Sequence, residues 1–165
     1  MIKKQVFILI ALFIGITSKA MIYTVSFDKV KSHYVTVEMQ FSSNGKDYID
    51  FHVPVWTPGS YKVREFSNAF ENVTADGREI IRVDKNTWRV DTKGIDNVKL
   101  SYDVYCFTVS VRQSYADEYY AFLHGVSAFG YVEGLEEEAI TLIVEPFTGW
   151  NDVEVALPQN KAQGF

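Results

Sequence analysis

Nearly every segment after Ala20 alternates apolar and polar residues with period two. A strand with one buried face produces that pattern and a helix does not. Tyr23, Val25 and Phe27 share one face of a segment over 22–28, and Val35, Val37, Met39 and Phe41 share one face of a segment over 33–41. Asn44-Gly45 follows, the dipeptide that favours a hairpin between alternating runs. The return strand then carries Ile49, Phe51, Val53 and Val55, and it closes at Pro54, which has no N–H to give to a ladder and so places the strand end at an edge or bulge. Phe66, Ala69 and Phe70 stand at helical spacing for one or two turns. Short strands are expected over 80–83, 87–91, 119–124, 139–145 and 153–157. The run from Val98 to Arg112 changes its apolar face midway, from Val98, Leu100, Tyr102, Val104 and Cys106 to Tyr105, Phe107, Val109 and Val111. A strand that does this must bulge or pass between sheets. The expected fold is therefore all-β: two packed, mainly antiparallel sheets, sandwich-like, with at most one or two short helices.

The first 20 residues read as a signal peptide. Lys3 and Lys4 precede an apolar run over 6–16, and Thr17-Ser18-Lys19-Ala20 offers a small-x-small cleavage site after Ala20. The run is too short to span a bilayer, which takes about 20 apolar residues. An exported protein, periplasmic or extracellular, with no membrane attachment after cleavage is expected. Residues 21–158 then form one β domain, and 159–165 are a tail without organisation of its own. The whole chain carries a net charge of −5, and three of its 16 basic residues fall in the leader. The remainder is more acidic still, which disfavours nucleic acid as a partner. Cys106 is the one cysteine. It forms no intrachain disulfide, so the fold relies on its core.

Val53-Pro54-Val55-Trp56-Thr57-Pro58-Gly59-Ser60-Tyr61 is the most distinctive stretch. Pro58 presets φ for the second position of a tight turn, and Gly59 supplies the positive φ that a type II turn asks next. Trp56 and Tyr61 flank that turn. They read either as aromatics plugging a rigid corner or as the rim of a binding cleft. Arg64 follows the turn, and Arg112 ends the long strand near Asp117 and Glu118. Each is expected to pair with a carboxylate of its own fold, the alternative being one on a neighbouring domain or peptide.

Reactive chemistry is thin. A hydrolytic zinc site needs about three ligands, and the chain has His33, His52 and His124, far apart and without a His-Glu-x-x-His. Strand periodicity alone leaves room only for His52 meeting His124. No Gly-x-Ser-x-Gly turn occurs. Cys106 sits on an apolar face that blunts a thiol. The acids Asp117, Glu118, Glu133 and Glu136 to Glu138 read as solvated loop charges rather than a glycosidase pair.

Trp56-Thr57-Pro58-Gly59-Ser60-Tyr61 with Arg64 and Phe66, then Trp88-Arg89-Val90, Ser110-Val111-Arg112 and Pro146-x-x-Gly149-Trp150 resemble the N-terminal domain of the glycyl aminopeptidases, exported gluzincin zinc metallopeptidases. The resemblance covers nearly all of 23–157. It implies a non-catalytic β domain that precedes a thermolysin-like catalytic domain, supports it and shapes the substrate cleft. Zinc and its ligands then belong to that missing domain, and no catalytic, cofactor or metal residue is carried over to this chain. Its partner would be the catalytic domain of the same polypeptide, with peptide substrate touched indirectly. Trp56, Pro58, Gly59, Tyr61, Arg64 and Arg112 are the candidate cleft-wall residues. The alternative is a stand-alone periplasmic β-sandwich that binds glycan or peptide, with Trp56, Trp88 and Trp150 as stacking platforms.

Overall fold

The structure, a computed structural model, describes residues 20–158. The expected leader, apart from Ala20, and the expected 159–165 tail lie outside them. The strands are β1 (Met21–Ser26), β2 (Tyr34–Ser42), β3 (Tyr48–His52), β4 (Phe70–Thr74), β5 (Ile80–Arg82), β6 (Thr87–Asp91), β7 (Asn97–Tyr105), β8 (Tyr115–Ala116), β9 (Ala121–Phe122), β10 (Tyr131–Val132) and β11 (Ile140–Glu145). One four-residue helix, α1 (Gly125–Ala128), and 3-10 turns at Val30–Ser32 and Phe66–Ala69 complete the described residues.

The strands form a five-stranded sheet in the order β11-β1-β2-β7-β4, a four-stranded sheet in the order β10-β3-β6-β5, and a small β8-β9 ribbon. Every pairing is antiparallel except that of β11 with β1. The alternation seen in sequence becomes the buried face: Val25, Val37, Met39, Leu100 and Tyr102 of the larger sheet meet Phe51, Trp88, Val90 and Val132 of the smaller in a single core. Phe51 and Tyr102 touch across the layers with ring centroids 5.2 Å apart. The all-β, two-sheet expectation holds.

Three local expectations do not. Asn44 (φ 52°) and Gly45 (φ 73°) do take the left-handed backbone of a tight turn, but β2 and β3 do not pair across it. The chain turns a corner from one sheet into the other. A second corner, over 92–97, carries it back, and the two are stapled together: Ser43 N–H donates to Asp96 O at 2.7 Å, Ser43 Oγ to Ile95 O at 2.7 Å and Thr92 Oγ1 to Lys46 O at 2.6 Å. Turn geometry is local, whereas the choice between hairpin and corner is made by these distant partners.

The long strand does not cross between sheets either. It ends at Tyr105, and Tyr105, Phe107, Val109 and Val111 are exposed rather than buried in a second layer. Cys106 N–H donates to His33 O, the chain doubles back through 108–113, and Phe107 bridges to Tyr115. Two sheets exist, but the passages between them lie elsewhere. The third correction is at the end: Val153, Val155 and Leu157 form no strand, and residues 151–158 run outside both sheets without regular structure.

Polar staples tie the strands of the larger sheet to one another and to the segment beside it. Asp103, 4% exposed on β7, accepts from Lys29 Nζ (2.8 Å), Thr36 Oγ1 (2.7 Å) and Asn72 Nδ2 (2.8 Å). It thereby ties β7 to β2, to β4 and to the turn after β1. Burial pushes its carboxyl upward, but these donors outweigh that and hold it below the usual carboxylate range. Segment 126–131, which shows no clear periodicity in sequence, is fastened to the larger sheet by tyrosine hydroxyls: Tyr23 OH donates to Gly130 O (2.9 Å), Gly130 N–H to Tyr102 OH (3.1 Å) and Tyr102 OH to Ala128 O (3.3 Å). Burial pushes the Tyr23 phenol up to about 12 and Tyr102 higher, so both remain donors.

Candidate functional site

The Trp56 turn is built as its residues dictate. Gly59 has φ 78°, Ser60 N–H donates to Thr57 O at 3.0 Å, and Arg64 N–H donates to Val55 O at 2.6 Å, which closes 55–64 into a loop. Thr57 is the residue that plugs the corner. Trp56 is 55% exposed, and Tyr61 and Val63 project further into solvent. Of the two readings of the aromatics, the plug is not what forms: Trp56 and Tyr61 both stand in solvent.

Neither arginine finds the carboxylate expected of its own fold. The Arg64 side chain reaches only Ser60 Oγ, at 3.3 Å, and its Nε is buried with no acceptor. Glu65, its neighbour in sequence, is taken by Lys85. Arg112 is exposed in the 108–113 turn, with its backbone N–H on Ser110 Oγ. The acid expected near it, Asp117, instead accepts from the Tyr119 and Tyr120 N–H groups and from Tyr115 OH. Those backbone donors hold its carboxyl below the usual range.

A second exposed apolar feature follows β7. Tyr34, Tyr105, Phe107, Tyr115 and Tyr120 make a continuous row of rings with successive centroids 5.2, 6.3, 5.9 and 5.2 Å apart, and His33 lies 4.0 Å from Phe107. Phe107 and Tyr120 are each about half exposed, and Val109, Val111, Tyr119 and Phe122, close to them in sequence, are exposed as well. Beside it lies an apolar groove of about 1280 Å³ between β1, β11, the 119–126 segment and residues 149–157. Pro54 and Tyr131 line both this groove and a smaller one of about 490 Å³ under Trp56, so the two exposed features border one concave side of the molecule.

His52 does not meet His124. Instead Asp50, His52 and Glu133 bring ligand atoms within 4.8 Å of one another. This set does not fit a zinc ion. Both Asp50 oxygens are held by the Arg89 fork at 2.7 Å, which keeps that carboxyl below its usual range, and His52 Nδ1 is bonded to Thr87 Oγ1 at 3.0 Å. One imidazole edge facing Glu133 at 3.4 Å remains. The Cys106 thiol is buried and pushed up to about 12, far from a nucleophile. Ser114 and Ser127 hydroxyls bond each other at 2.9 Å rather than the His124 ring. Trp88 is buried, with Arg82 over its face, and Trp150 packs on Phe27, so of the three tryptophans only Trp56 presents an open face. A three-tryptophan glycan platform is not formed.

Residues 22–165 match the family model described as the Peptidase M61 N-terminal domain. The chain belongs to that family. A solved structure of an aminopeptidase N family protein from Idiomarina loihiensis superposes with a TM-score of 0.69 at 25% identity, over 76% of this chain. This chain spans 22% of the length of that protein. No curated protein matches the chain. The resemblance carried by the Trp-x-Pro-Gly-x-Tyr stretch thus led to the right family. The Peptidase M61 N-terminal domain match runs through both exposed features, from the Trp56 turn to the groove beside Trp150.

Proposed function

We propose that this chain is the non-catalytic N-terminal β domain of an exported, zinc-dependent aminopeptidase of the glycyl type. Its role is to support the catalytic domain and narrow the substrate cleft. The observation that carries this is the uncovered apolar rim of Phe107, Val109, Val111, Tyr119, Tyr120 and Phe122 beside the groove. Exposed apolar side chains in that number, beside an apolar groove, mark a surface that another body covers. The chemistry is consistent with support rather than catalysis. Among the described residues the one His–carboxylate group is consumed by Arg89 and Thr87, and the thiol is buried. The occupant of the rim is the zinc-bearing domain of the same polypeptide, and Trp56, Tyr61, Arg64 and Arg112 line the wall that faces peptide.

The test is enzymatic. The purified chain supplied with zinc should leave glycyl-p-nitroanilide intact, and hydrolysis with stoichiometric bound zinc would refute the proposal. In a polypeptide that includes the catalytic domain, Trp56→Ala should lower kcat/KM for peptides more than it lowers stability. Equal losses in both would remove the cleft-wall role.

A further inference from the structure

The loop that presents Trp56 and Tyr61 also holds a cation without a counter-ion among the described residues. Among the described residues the other arginines are provided for. Arg78 pairs with Asp91, Arg89 with Asp50, Arg82 lies on Trp88 and donates to the Asp84 and Lys85 carbonyls, and Arg112 is solvated. Arg64 is different. It is half-buried, its one side-chain contact is a neutral hydroxyl at 3.3 Å, and its Nε is sealed from solvent with no acceptor. A charged donor ordinarily sits 2.7–2.9 Å from its acceptor. A guanidinium removed from water without a partner is costly. The loop is nevertheless closed around it, by the Arg64 N–H bond to Val55 O and by the Thr57–Ser60 bridge. An arginine fixed in this way, in a loop that also presents an exposed tryptophan and an exposed tyrosine ahead of it, has the composition of a binding hot spot.

We infer that Arg64 is a receptor for a carboxylate brought to the rim from outside the described residues, with Trp56 and Tyr61 as apolar walls beside it. A carboxylate is the acceptor whose two oxygens match a guanidinium edge, and with Nε sealed the edge open to it is the one formed by the two Nη groups. The source of that group rests on the cleft-wall reading above, and the receptor itself does not. Two sources share the chemistry: an Asp or Glu side chain of the following domain, and the carboxylate of a peptide.

The experiment follows the Arg64 Nε–H resonance of the 15N-arginine chain while sodium acetate is added, against sodium chloride at matched ionic strength, with Arg112 as the solvated reference. Arg64 should move saturably, half-way at a concentration on the order of tens of millimolar for one charge-assisted pair. Arg112 should follow chloride. Arg64→Lys, which keeps the charge and loses the fork, should weaken the acetate response measured on the neighbouring Glu65 amide. An Arg64 response no larger than that of Arg112 overturns the inference and leaves the domain assignment standing, since hydrolysis assays decide that separately. In a polypeptide that includes the catalytic domain, a resonance already at the acetate-bound position and indifferent to acetate assigns the carboxylate to that domain. A resonance at the free position that answers N-acetylglycine but not N-acetylglycinamide assigns it to peptide. One at the free position that answers neither overturns the inference.

Discussion

At the scale of single residues, Gly130 and Asp103 have the least freedom. A Cβ on Gly130 would come within 2.3 Å of the Phe51 ring and 2.8 Å of His52 O, and Phe51 is fully buried with nowhere to retreat. Gly130→Ala should therefore cost about 2–3 kcal/mol by overpacking, read as a lower urea midpoint with an unchanged slope. Asp103 has a folded pKa below its unfolded value. Its contribution is therefore complete above the ordinary Asp pKa of about 3.9 and disappears as pH falls through the lower, folded value. Urea unfolding across that acid range should show wild type losing stability and Asp103→Asn losing less over the same interval. At neutral pH, Asp103→Ala should cost about 3 kcal/mol, because it strips Lys29, Thr36 and Asn72 of their shared acceptor. Neither role is visible in sequence. Gly130 sits in a segment without periodicity, and Asp103 looks like an ordinary polar position on an alternating strand. Only the neighbours that converge on them reveal the constraint.

At the scale of elements, periodicity read the buried faces well and the connections poorly. β2 and β7 share a nine-residue antiparallel register at the middle of the larger sheet, flanked by β1 and β4. β9 is a two-residue strand at the surface, β8 is as short but carries the buried Ala116, whose N–H donates to Cys106 O, and β11 is an edge. Amide hydrogen exchange should accordingly be slowest in β2 and β7, faster in β11 and fastest in β9. Equal protection of β9 and β7 would contradict this sheet order. The apolar alternation over 105–111 had the right period and the wrong destination. Its residues are exposed because the chain folds back on Tyr115 instead of entering the second sheet. Apolar alternation states that a face wants cover. It does not state whether the cover comes from the same domain. The same limit explains Asn44-Gly45, whose turn geometry suits a hairpin and a corner alike.

For the whole molecule, the exposed ring row should be separable from the core. Phe107→Ser with Tyr120→Ser should lower the unfolding free energy by only about 2 kcal/mol, for the half of each ring that is buried. The pair should nonetheless reduce binding of an apolar dye and weaken attachment of the catalytic domain in a split polypeptide. Loss of several kcal/mol would instead make the row part of the core. The candidate site was partly legible beforehand. Pro58 and Gly59 announce their turn, and Trp56, Tyr61 and Arg64 come with it, but their exposure and the solitude of Arg64 were not legible, because the acid nearest in sequence, Glu65, turns to Lys85. Order along the chain determined the strand faces, the turn chemistry and the blunted thiol, since each depends on residues within a few positions of one another, and the family, through short motifs in a fixed order from the Trp56 turn to Trp150. The tertiary structure decided which strands share a sheet, which charges meet and which apolar faces stay open, because those depend on contacts between residues tens of positions apart, and local patterning carries no term for them.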